Sequence, residues 1–180
     1  MLVSIKDQNI PVIIDLRYAT KNNICSQILY QQDYSLLHPE AMEKLITASN
    51  LANKQGLKLK IWDAYRPLQV QQFMYDFFAS DKKLQSFFSD PNTGSIPHCR
   101  GIAVDLTLTN QDGVELNMGS DFDELSELAN HNYPNICDEI QKNRLILLGI
   151  MTISGFDFYS KEWWHYQLFK PREYPVIRLS

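Results

Sequence analysis

Two stretches of the chain show the apolar spacing of amphipathic helices. In residues 39–55, apolar side chains at Met42, Leu45 and Ile46 recur on one face, and Gly56 follows where helices commonly end. Residues 138–154 carry enough apolar side chains for a helix that packs on a core, again with a glycine after it. A further helix is predicted after the DAYRP turn, with the proline at its first position. These patterns predict three helices.

Strands are predicted by runs of alternating apolar and polar positions. Leu57, Leu59 and Ile61 alternate with lysines, which is the period-two pattern of a half-buried strand. The run PVIIDL predicts a short strand near the N-terminus, and IAVDLTL, rich in β-branched residues, predicts another. A turn at NQDG followed by VELNM makes that strand one arm of a β-hairpin. The segment EWWHYQLF predicts the final strand.

These elements together predict an α+β fold. The hairpin favours antiparallel pairing, so we expect a central antiparallel sheet flanked by helices. No internal repeat, low-complexity stretch or linker divides the chain, and 180 residues suit one compact domain. The prediction is therefore a single domain over residues 1–180.

Charge and hydropathy exclude several classes of function. The chain has 17 Lys and Arg residues against 21 Asp and Glu, a formal net charge of −4, and no basic cluster that could bind several phosphates. We therefore expect no nucleic-acid partner and no binding to an anionic membrane. The longest nearly unbroken apolar run, residues 145–151, is far shorter than the roughly 18 residues that span a bilayer.

The N-terminus and the cysteines indicate a reducing compartment. Lys6 and Asp7 interrupt the stretch where a secretory signal needs apolar residues, so a cytoplasmic location is expected. Cys25, Cys99 and Cys137 are an odd number without CxxC spacing, which supports neither a disulfide framework nor a four-cysteine zinc site. We expect reduced thiols, and an inert, partly buried side chain for Cys99.

Histidines and carboxylates cluster in two places, the first of which is SIPHCRGIAVD. There His98 precedes Asp105, which lies within an apolar strand segment. A buried carboxylate is costly unless it is paired or binds a metal. A loop histidine and a strand aspartate with local hydrogen bonds are the alternative without chemistry. His38 and His131 lie outside both clusters, and we expect structural roles for them.

The second cluster is EWWH, in which Glu162 lies three residues before His165. That spacing brings both side chains to one side of a turn but to opposite faces of a regular strand, so the backbone must turn if they act together. A tryptophan pair in the core, with Glu162 at the surface, is the alternative. His98, Asp105 and His165 offer three ligands to a tetrahedral zinc ion and leave a fourth position for water.

A zinc site of this composition suits hydrolysis of a peptide or amide bond. Zinc lowers the pKa of its water to about 7, and Glu162 could take the proton as that water attacks a carbonyl. Arg66, in the WDAYRP turn, could stabilise the oxyanion with its fixed positive fork. A structural arginine that fixes the loop is the alternative for Arg66.

Five blocks of sequence, in order along the chain, resemble the zinc-dependent D-alanyl-D-alanine dipeptidases of the vancomycin-resistance type. They are DLRYAT, WDAYRP, HCRGIAVDLTL, NMGSDFDELSE and GF…EWWHY, and they span most of the chain. The ordered set, with HxxxxxxD before ExxH, makes the resemblance specific. It implies the α+β fold of the zinc D,D-peptidases, which are related in fold to the hedgehog signalling domain.

The resemblance also implies roles for the candidate catalytic and metal residues. His98, Asp105 and His165 would hold one zinc ion per chain. Glu162 would be the catalytic base and later the proton donor, and Arg66 would stabilise the transition state.

Substrate contacts follow from the same resemblance. Tyr18 and Asp123 match the positions that contact the free amino group of the dipeptide, and both side chains can accept hydrogen bonds from an ammonium group. The family usually has a serine two residues before the first zinc histidine, where it holds the substrate carboxylate. This chain has Ile96 followed by Pro97 there, so Ser95 is the candidate for that contact.

These inferences predict a zinc enzyme that hydrolyses the dipeptide D-Ala-D-Ala to two D-alanines with a zinc-activated water. A D,D- or L,D-carboxypeptidase acting on longer peptidoglycan peptides is one alternative, since the interval from residue 66 to residue 98 is shorter than in the resistance enzymes and predicts a more open rim. A zinc-stabilised binding module without catalysis is another, although a structural zinc needs neither Glu162 nor Arg66. The sequence leaves the oligomeric state and the physiological role open.

Overall fold

A computed structural model describes residues 1–179 and shows strands and helices in mixed order. The strands are β1 (Val3–Ser4), β2 (Val12–Ile14), β3 (Leu36–Leu37), β4 (Leu57–Asp63), β5 (Ala103–Asn110), β6 (Asp157–Phe158) and β7 (His165–Gln167). The α-helices are α1 (Pro39–Lys54), α2 (Leu68–Phe77), α3 (Lys82–Gln85) and α4 (Asp138–Ile153). Short 3-10 turns are formed by Arg17–Ala19, Pro97–Arg100, Glu127–Ala129 and Pro171–Glu173.

The central sheet has five strands in the order β2-β4-β5-β7-β6. Its neighbours pair antiparallel except β2 and β4, which run parallel. The expected antiparallel sheet is thus corrected at one edge. The chain between β2 and β4 passes through α1, and a crossover of this kind returns the next strand in the same direction. With its helices and mixed sheet, the chain has the predicted α+β fold.

Strand register brings three polar residues into one row across the sheet. Asp63 at the end of β4 lies opposite Asp105 in β5, and Asp105 lies opposite His165 at the start of β7. An irregularity between Ile61 and Asp63 shifts the register just before this row. Side chains of directly opposed residues project from the same face, so the sheet itself gathers these groups.

The strongest helical and strand patterns of the sequence are present in the structure. Helix α1 buries Met42 and Leu45 and packs on β4 and against α4. Strand β5 is buried along almost its whole length, which requires cover on both faces of the sheet. No helix within residues 1–179 is long and apolar enough to cross a membrane.

Three elements are shorter than the sequence patterns predict. The final strand was expected over EWWHYQLF, but it begins only at His165, because the preceding residues form a turn. The second arm of the predicted hairpin is reduced to one bridge, between Thr109 and Glu115. Helix α2 begins at Leu68, one residue after the proline expected at its first position.

Candidate active site

A cavity of about 240 Å³ is lined by residues of β5, β7 and the loops around them. All eight candidates from the sequence are among its lining residues: Tyr18, Arg66, Ser95, His98, Asp105, Asp123, Glu162 and His165. Segments far apart in the chain therefore converge on one pocket. The role of each residue stays a prediction.

At the base of the pocket, His98, Asp105 and His165 direct donor atoms towards one another. His98 Nε2 lies 3.2 Å from His165 Nδ1 and 3.3 Å from Asp105 Oδ2, and His165 Nδ1 lies 2.9 Å from Asp105 Oδ1. One donor atom from each of the three buried residues lies within 4.8 Å of the other two. Two imidazoles and a carboxylate are a ligand set that divalent metals such as zinc accept.

The outward-facing ring nitrogens show that this group fits a cation. His98 Nδ1 lies 2.7 Å from the carbonyl oxygen of Ala64, and His165 Nε2 lies 3.0 Å from Oε1 of Gln167. Each of these oxygens accepts a hydrogen bond, so the outer nitrogens carry the protons of neutral rings. In that neutral state each inner nitrogen offers a lone pair beside the carboxylate, where a metal ion could bind. Without a metal ion, a proton on an inner nitrogen can instead be donated to Asp105.

Asp105 is held in its charged form. Burial alone would raise the pKa of this carboxyl, but the positive charge of protonated His98 and the hydrogen bonds that protonated inner ring nitrogens donate outweigh it, so the pKa lies below its usual range in the absence of a metal ion. A metal-ligating carboxylate must be deprotonated, and these neighbours supply that state.

Arg66 is fixed on both edges of its guanidinium group. Nε and Nη2 donate to Oδ2 of Asp63, at 3.0 and 2.8 Å, and Nη1 donates to Oε1 of Gln71 at 2.9 Å. The carbon of the guanidinium lies 5.0 Å from the centre of the Tyr18 ring. Nη2 is also 3.6 Å from Asp105 Oδ2, which places a permanent positive charge beside the metal-ligand group.

Glu162 reaches the pocket because the backbone turns before β7. The Glu162 amide donates to the carbonyl of Tyr159, and the His165 amide donates to the carbonyl of Glu162. Both side chains therefore line the cavity, as their three-residue spacing requires if they are to cooperate. Burial raises the pKa of Glu162 to about 7, against the opposing effect of His165. A carboxyl with such a pKa can both take and return a proton near neutral pH.

Tyr18 and Asp123 form a hydrogen-bonded pair at another part of the wall. The Tyr18 hydroxyl lies 3.0 and 3.1 Å from the two carboxylate oxygens of Asp123. Asp123 has a left-handed backbone conformation, with φ of 60°, which is uncommon outside glycine and is found often at ligand sites. Burial raises the pKa of Asp123 to about 7. A cationic ligand beside it would restore the charged form.

Ser95 lies half-buried at the pocket wall, followed by a strained residue. Ile96 has φ of 39°, in the left-handed region that β-branched side chains rarely adopt, and its side chain is buried. This conformation leads directly into the 3-10 turn Pro97–Arg100, which carries His98 into the pocket. The departure from the family pattern at Ile96 is therefore part of how the histidine is presented.

Four polar residues of the site were not predicted by motif. They are Tyr30, Asp63, Gln71 and Gln167. Asp63 is fully buried, accepts from the hydroxyl of Tyr30 and from Arg66, and lies 3.4 Å from His98 Nδ1. The signal that could have found it is its position at the end of a buried strand, where an unpaired carboxylate is costly.

Cys99, His38 and His131, for which we expected no catalytic role, are not among the residues that line the pocket. Cys99 is completely buried rather than partly so, and burial raises the pKa of its thiol to about 11, as expected of an inert side chain. His38 caps the start of α1 by accepting from the amide of Glu40. The ring of His131 packs against the ring of Phe158. The three cysteines are all free thiols.

Comparison with known proteins and the geometry of the pocket both indicate a metal-dependent peptidase. The profile of the peptidase M15 family, described as D-ala-D-ala dipeptidase, matches residues 2–175. The D-alanyl-D-alanine dipeptidase of Escherichia coli (strain K12) is 39% identical over 164 residues, which are 91% of this chain and 82% of that protein. The D-alanyl-D-alanine dipeptidase of Enterococcus faecium is 37% identical over 178 residues, 89% of this chain and 87% of that protein.

A third relative, the D-alanyl-D-alanine dipeptidase of Enterococcus faecalis (strain ATCC 700802 / V583), is 31% identical over 170 residues, 86% of this chain and 84% of that protein. The family match extends through every element that lines the pocket. The matched residues include the buried donor group of His98, Asp105 and His165, which is suited to a metal ion. This chain belongs to the peptidase M15 family of metal-dependent peptidases.

Proposed function

We propose that this chain is a zinc D,D-dipeptidase, one domain over residues 1–180, that hydrolyses D-Ala-D-Ala to two D-alanines. The observation that carries the proposal is a single small cavity that holds a metal-donor group, a carboxyl with a raised pKa and the Tyr18–Asp123 pair. The names of the three relatives support the same substrate.

His98, Asp105 and His165 are the residues that would hold one zinc ion. Zinc bound there supplies a Lewis acid for the peptide carbonyl and lowers the pKa of water. The carbonyl of Ala64 and the side chain of Gln167 accept from the outer ring nitrogens, which leaves the inner nitrogens for the metal ion, and Asp105 beside them is already ionised.

Glu162 moves the proton. It accepts a proton from the attacking water as the water oxygen bonds to the peptide carbonyl carbon. It then gives that proton to the peptide nitrogen as the C–N bond breaks, leaving an amine and a carboxylic acid. The second proton of the water passes from the new acid to the amine, so the products are an ammonium group and a carboxylate. A pKa near 7 suits both transfers, because neither the protonated nor the ionised form is strongly disfavoured.

Arg66 stabilises the negative charge that develops on the carbonyl oxygen. Its guanidinium is held by Asp63 and Gln71 before substrate arrives, so no reorganisation is needed during the reaction.

Tyr18 and Asp123 bind the free amino group of the substrate, and Ser95 binds its carboxylate. A carboxylate that is desolvated in the free enzyme gains most from an ammonium ion, and a bound ammonium ion lowers its pKa again. This contact requires an unblocked amine, which is what separates a dipeptidase from a carboxypeptidase that acts on longer peptides.

A substrate panel tests the proposal. Protein of measured zinc content is incubated with D-Ala-D-Ala, N-acetyl-D-Ala-D-Ala and the corresponding L,D-dipeptides, and released alanine is quantified. We expect the free D,D-dipeptide to be cleaved far faster than the acylated one. A preference for the acylated substrate would establish a carboxypeptidase instead, and zinc binding without cleavage of any substrate would establish a binding module.

The identity of the metal is tested separately. Chelator-treated protein is supplied with Zn²⁺, Co²⁺, Mn²⁺ or Mg²⁺, and hydrolysis is measured at equal metal occupancy. The nitrogen-containing donor set favours zinc or cobalt over magnesium, so Mg²⁺ is expected to restore no activity.

We also propose that the enzyme acts in the cytoplasm. Three free thiols suit a reducing compartment, where disulfides are rare. Fractionation of cells that produce the chain, followed by detection in the cytosol, tests this location, and recovery outside the cytosol would contradict it.

A further inference from the structure

Gln71 is a buried polar residue that bridges the catalytic centre and the rim of the pocket. It lies in the first turn of α2 and is 3% exposed. Its Oε1 accepts from Arg66 Nη1 at 2.9 Å, and its Nε2 donates to the carbonyl oxygen of Ser89 at 2.7 Å. No motif of the sequence singled it out.

The two contacts fix the orientation of the Gln71 amide. Arg66 has only donors, so the amide oxygen must face it. The Ser89 carbonyl has only lone pairs, so the amide nitrogen must face that side. A flipped amide would lose both bonds and leave buried polar groups without partners, which is costly. The Gln71 amide therefore has one stable orientation, and its hydrogen bond to Arg66 Nη1 fixes the position of the guanidinium group.

Asp63 alone leaves one edge of Arg66 unsupported. It receives Nε and Nη2, whereas Nη1 is held by Gln71. The partner of Gln71 on its other side, Ser89, belongs to the segment of residues 86–98 that contributes much of the pocket wall and ends at His98. One side chain thus links the guanidinium to the wall that faces the substrate.

We propose that Gln71 is a positioning residue that holds the Arg66 guanidinium at a fixed place relative to the pocket wall at Ser89. This inference rests on the proposed function, in which Arg66 stabilises the developing oxyanion. Gln71 also lines the cavity, but its amide oxygen and nitrogen are taken by Arg66 and Ser89, so it acts through these two partners.

Two substitutions at Gln71 separate its contacts. Gln71→Leu removes both hydrogen bonds at similar volume, and we expect kcat for D-Ala-D-Ala to fall by about tenfold, the factor that corresponds to about 1.4 kcal/mol of lost transition-state stabilisation. Gln71→Glu keeps an acceptor for Arg66 but loses the amide donor to Ser89. It is expected to recover most of kcat while KM rises.

Gln72→Leu is the matched control, one position along the same helix. The Gln72 amide donates to Asp76 on the helix surface, away from the pocket lining. We expect kcat and KM to stay at their wild-type values. Thermal midpoints and zinc content of all three variants show that each is folded and loaded.

A double-mutant cycle with Arg66→Lys tests whether Gln71 acts through Arg66. If it does, Gln71→Leu lowers kcat in the wild-type background but has little further effect in Arg66→Lys, because the guanidinium group that Gln71 positions is absent there. Equal losses in both backgrounds would overturn the proposal.

A measurement without substrate keeps the inference distinct from the proposed function. NMR of the Arg66 side chain reports rotation about the bond between Nε and the guanidinium carbon, and we expect faster rotation in Gln71→Leu than in Gln72→Leu. Equal rotation in the two variants would overturn the positioning role. Failure of the wild-type enzyme to cleave D-Ala-D-Ala would contradict the proposed function alone.

Discussion

The pocket has two sides that treat polar groups differently. The metal side consists of His98, Asp105, His165 and Arg66, which are at most 7% exposed and held by partners from the sheet and the turns. The substrate side contains Ser95, Asp123 and Glu162, which are half-buried and lie in irregular segments. It also includes the buried Tyr18, whose hydroxyl bonds to Asp123.

The contrast is clearest between carboxyl groups in one cavity. Burial would raise the pKa of Asp105, yet its imidazole neighbours lower it. Burial raises the pKa of Glu162 and Asp123 to about 7, because their positive neighbours are too weak or too distant to compensate. In the proposed mechanism, Asp105 on the metal side is therefore ionised before a ligand binds, whereas Glu162 and Asp123 on the substrate side exchange a proton or pair with an ammonium ion during the reaction.

The largest effect is expected on the metal side from His165→Ala. This substitution removes one of three ligands, so zinc is lost and turnover falls below detection. Metal analysis after dialysis and the dipeptide assay measure the two outcomes together. His38→Asn is the control, because asparagine keeps a capping acceptor for α1 and leaves the pocket untouched. Full zinc occupancy in His165→Ala would remove that residue from the ligand set.

Glu162→Gln is expected to affect catalysis without affecting metal binding. The amide has nearly the shape of the carboxyl but cannot take a proton, so kcat falls by about 10²- to 10⁴-fold while zinc content stays that of the wild type. Glu43→Gln, on the exposed face of α1, is expected to change neither quantity. Wild-type turnover in Glu162→Gln would show that another group moves the proton.

Asp123→Asn tests the ammonium contact on the substrate side. Asparagine keeps an oxygen for the Tyr18 hydroxyl but loses the charge, so KM for D-Ala-D-Ala is expected to rise roughly a hundredfold. The N-acetylated dipeptide has no ammonium group, and its poor cleavage is expected to change little. An equal loss on both substrates would show that Asp123 supports the fold of the pocket rather than the amine.

The pH dependence of kcat/KM tests the two carboxyl groups of the substrate side. Glu162 and Asp123 must both be ionised for base catalysis and amine binding, and the raised pKa of each means that protonation persists to higher pH than usual. kcat/KM is therefore expected to rise as the pH increases towards about 7, with one proton lost from each carboxyl group. Zinc next to Glu162 favours the carboxylate and moves its step to lower pH. In Asp123→Asn only Glu162 still titrates, so the acidic side of the kcat/KM profile is expected to show the loss of one proton.

The metal side was the more predictable half from sequence. Asp105 lies in a strand that its alternating pattern predicted, and the three-residue spacing of Glu162 and His165 indicated a turn if the two side chains were to act together. The same local logic predicted α1, α4 and β4. The parallel direction of β2 was not predictable in this way, because it depends on the path of the whole crossover rather than on the residues of the strand.

The supporting contacts could not be read from the chain. Gln71 and Tyr30 look like ordinary helix and loop residues, and only folding brings them to Arg66 and Asp63. Likewise, the φ of Ile96 reverses the expectation that a β-branched residue before proline is extended. Tertiary contacts determine all three features, and a single sequence carries no periodic signal for them.

Ser95→Ala is expected to have the smallest effect, because Ser95 is half-buried on a loop and contributes one hydrogen bond to a carboxylate. Loss of a bond to a charged group corresponds to a rise in KM of roughly tenfold, with kcat nearly unchanged. Thr93→Val is the matched control in the same loop, since the Thr93 hydroxyl donates to Asp90 outside the pocket lining. If Ser95→Ala leaves KM unchanged, the strained turn at Ile96 serves only to present His98, and the substrate carboxylate is bound by another part of the wall.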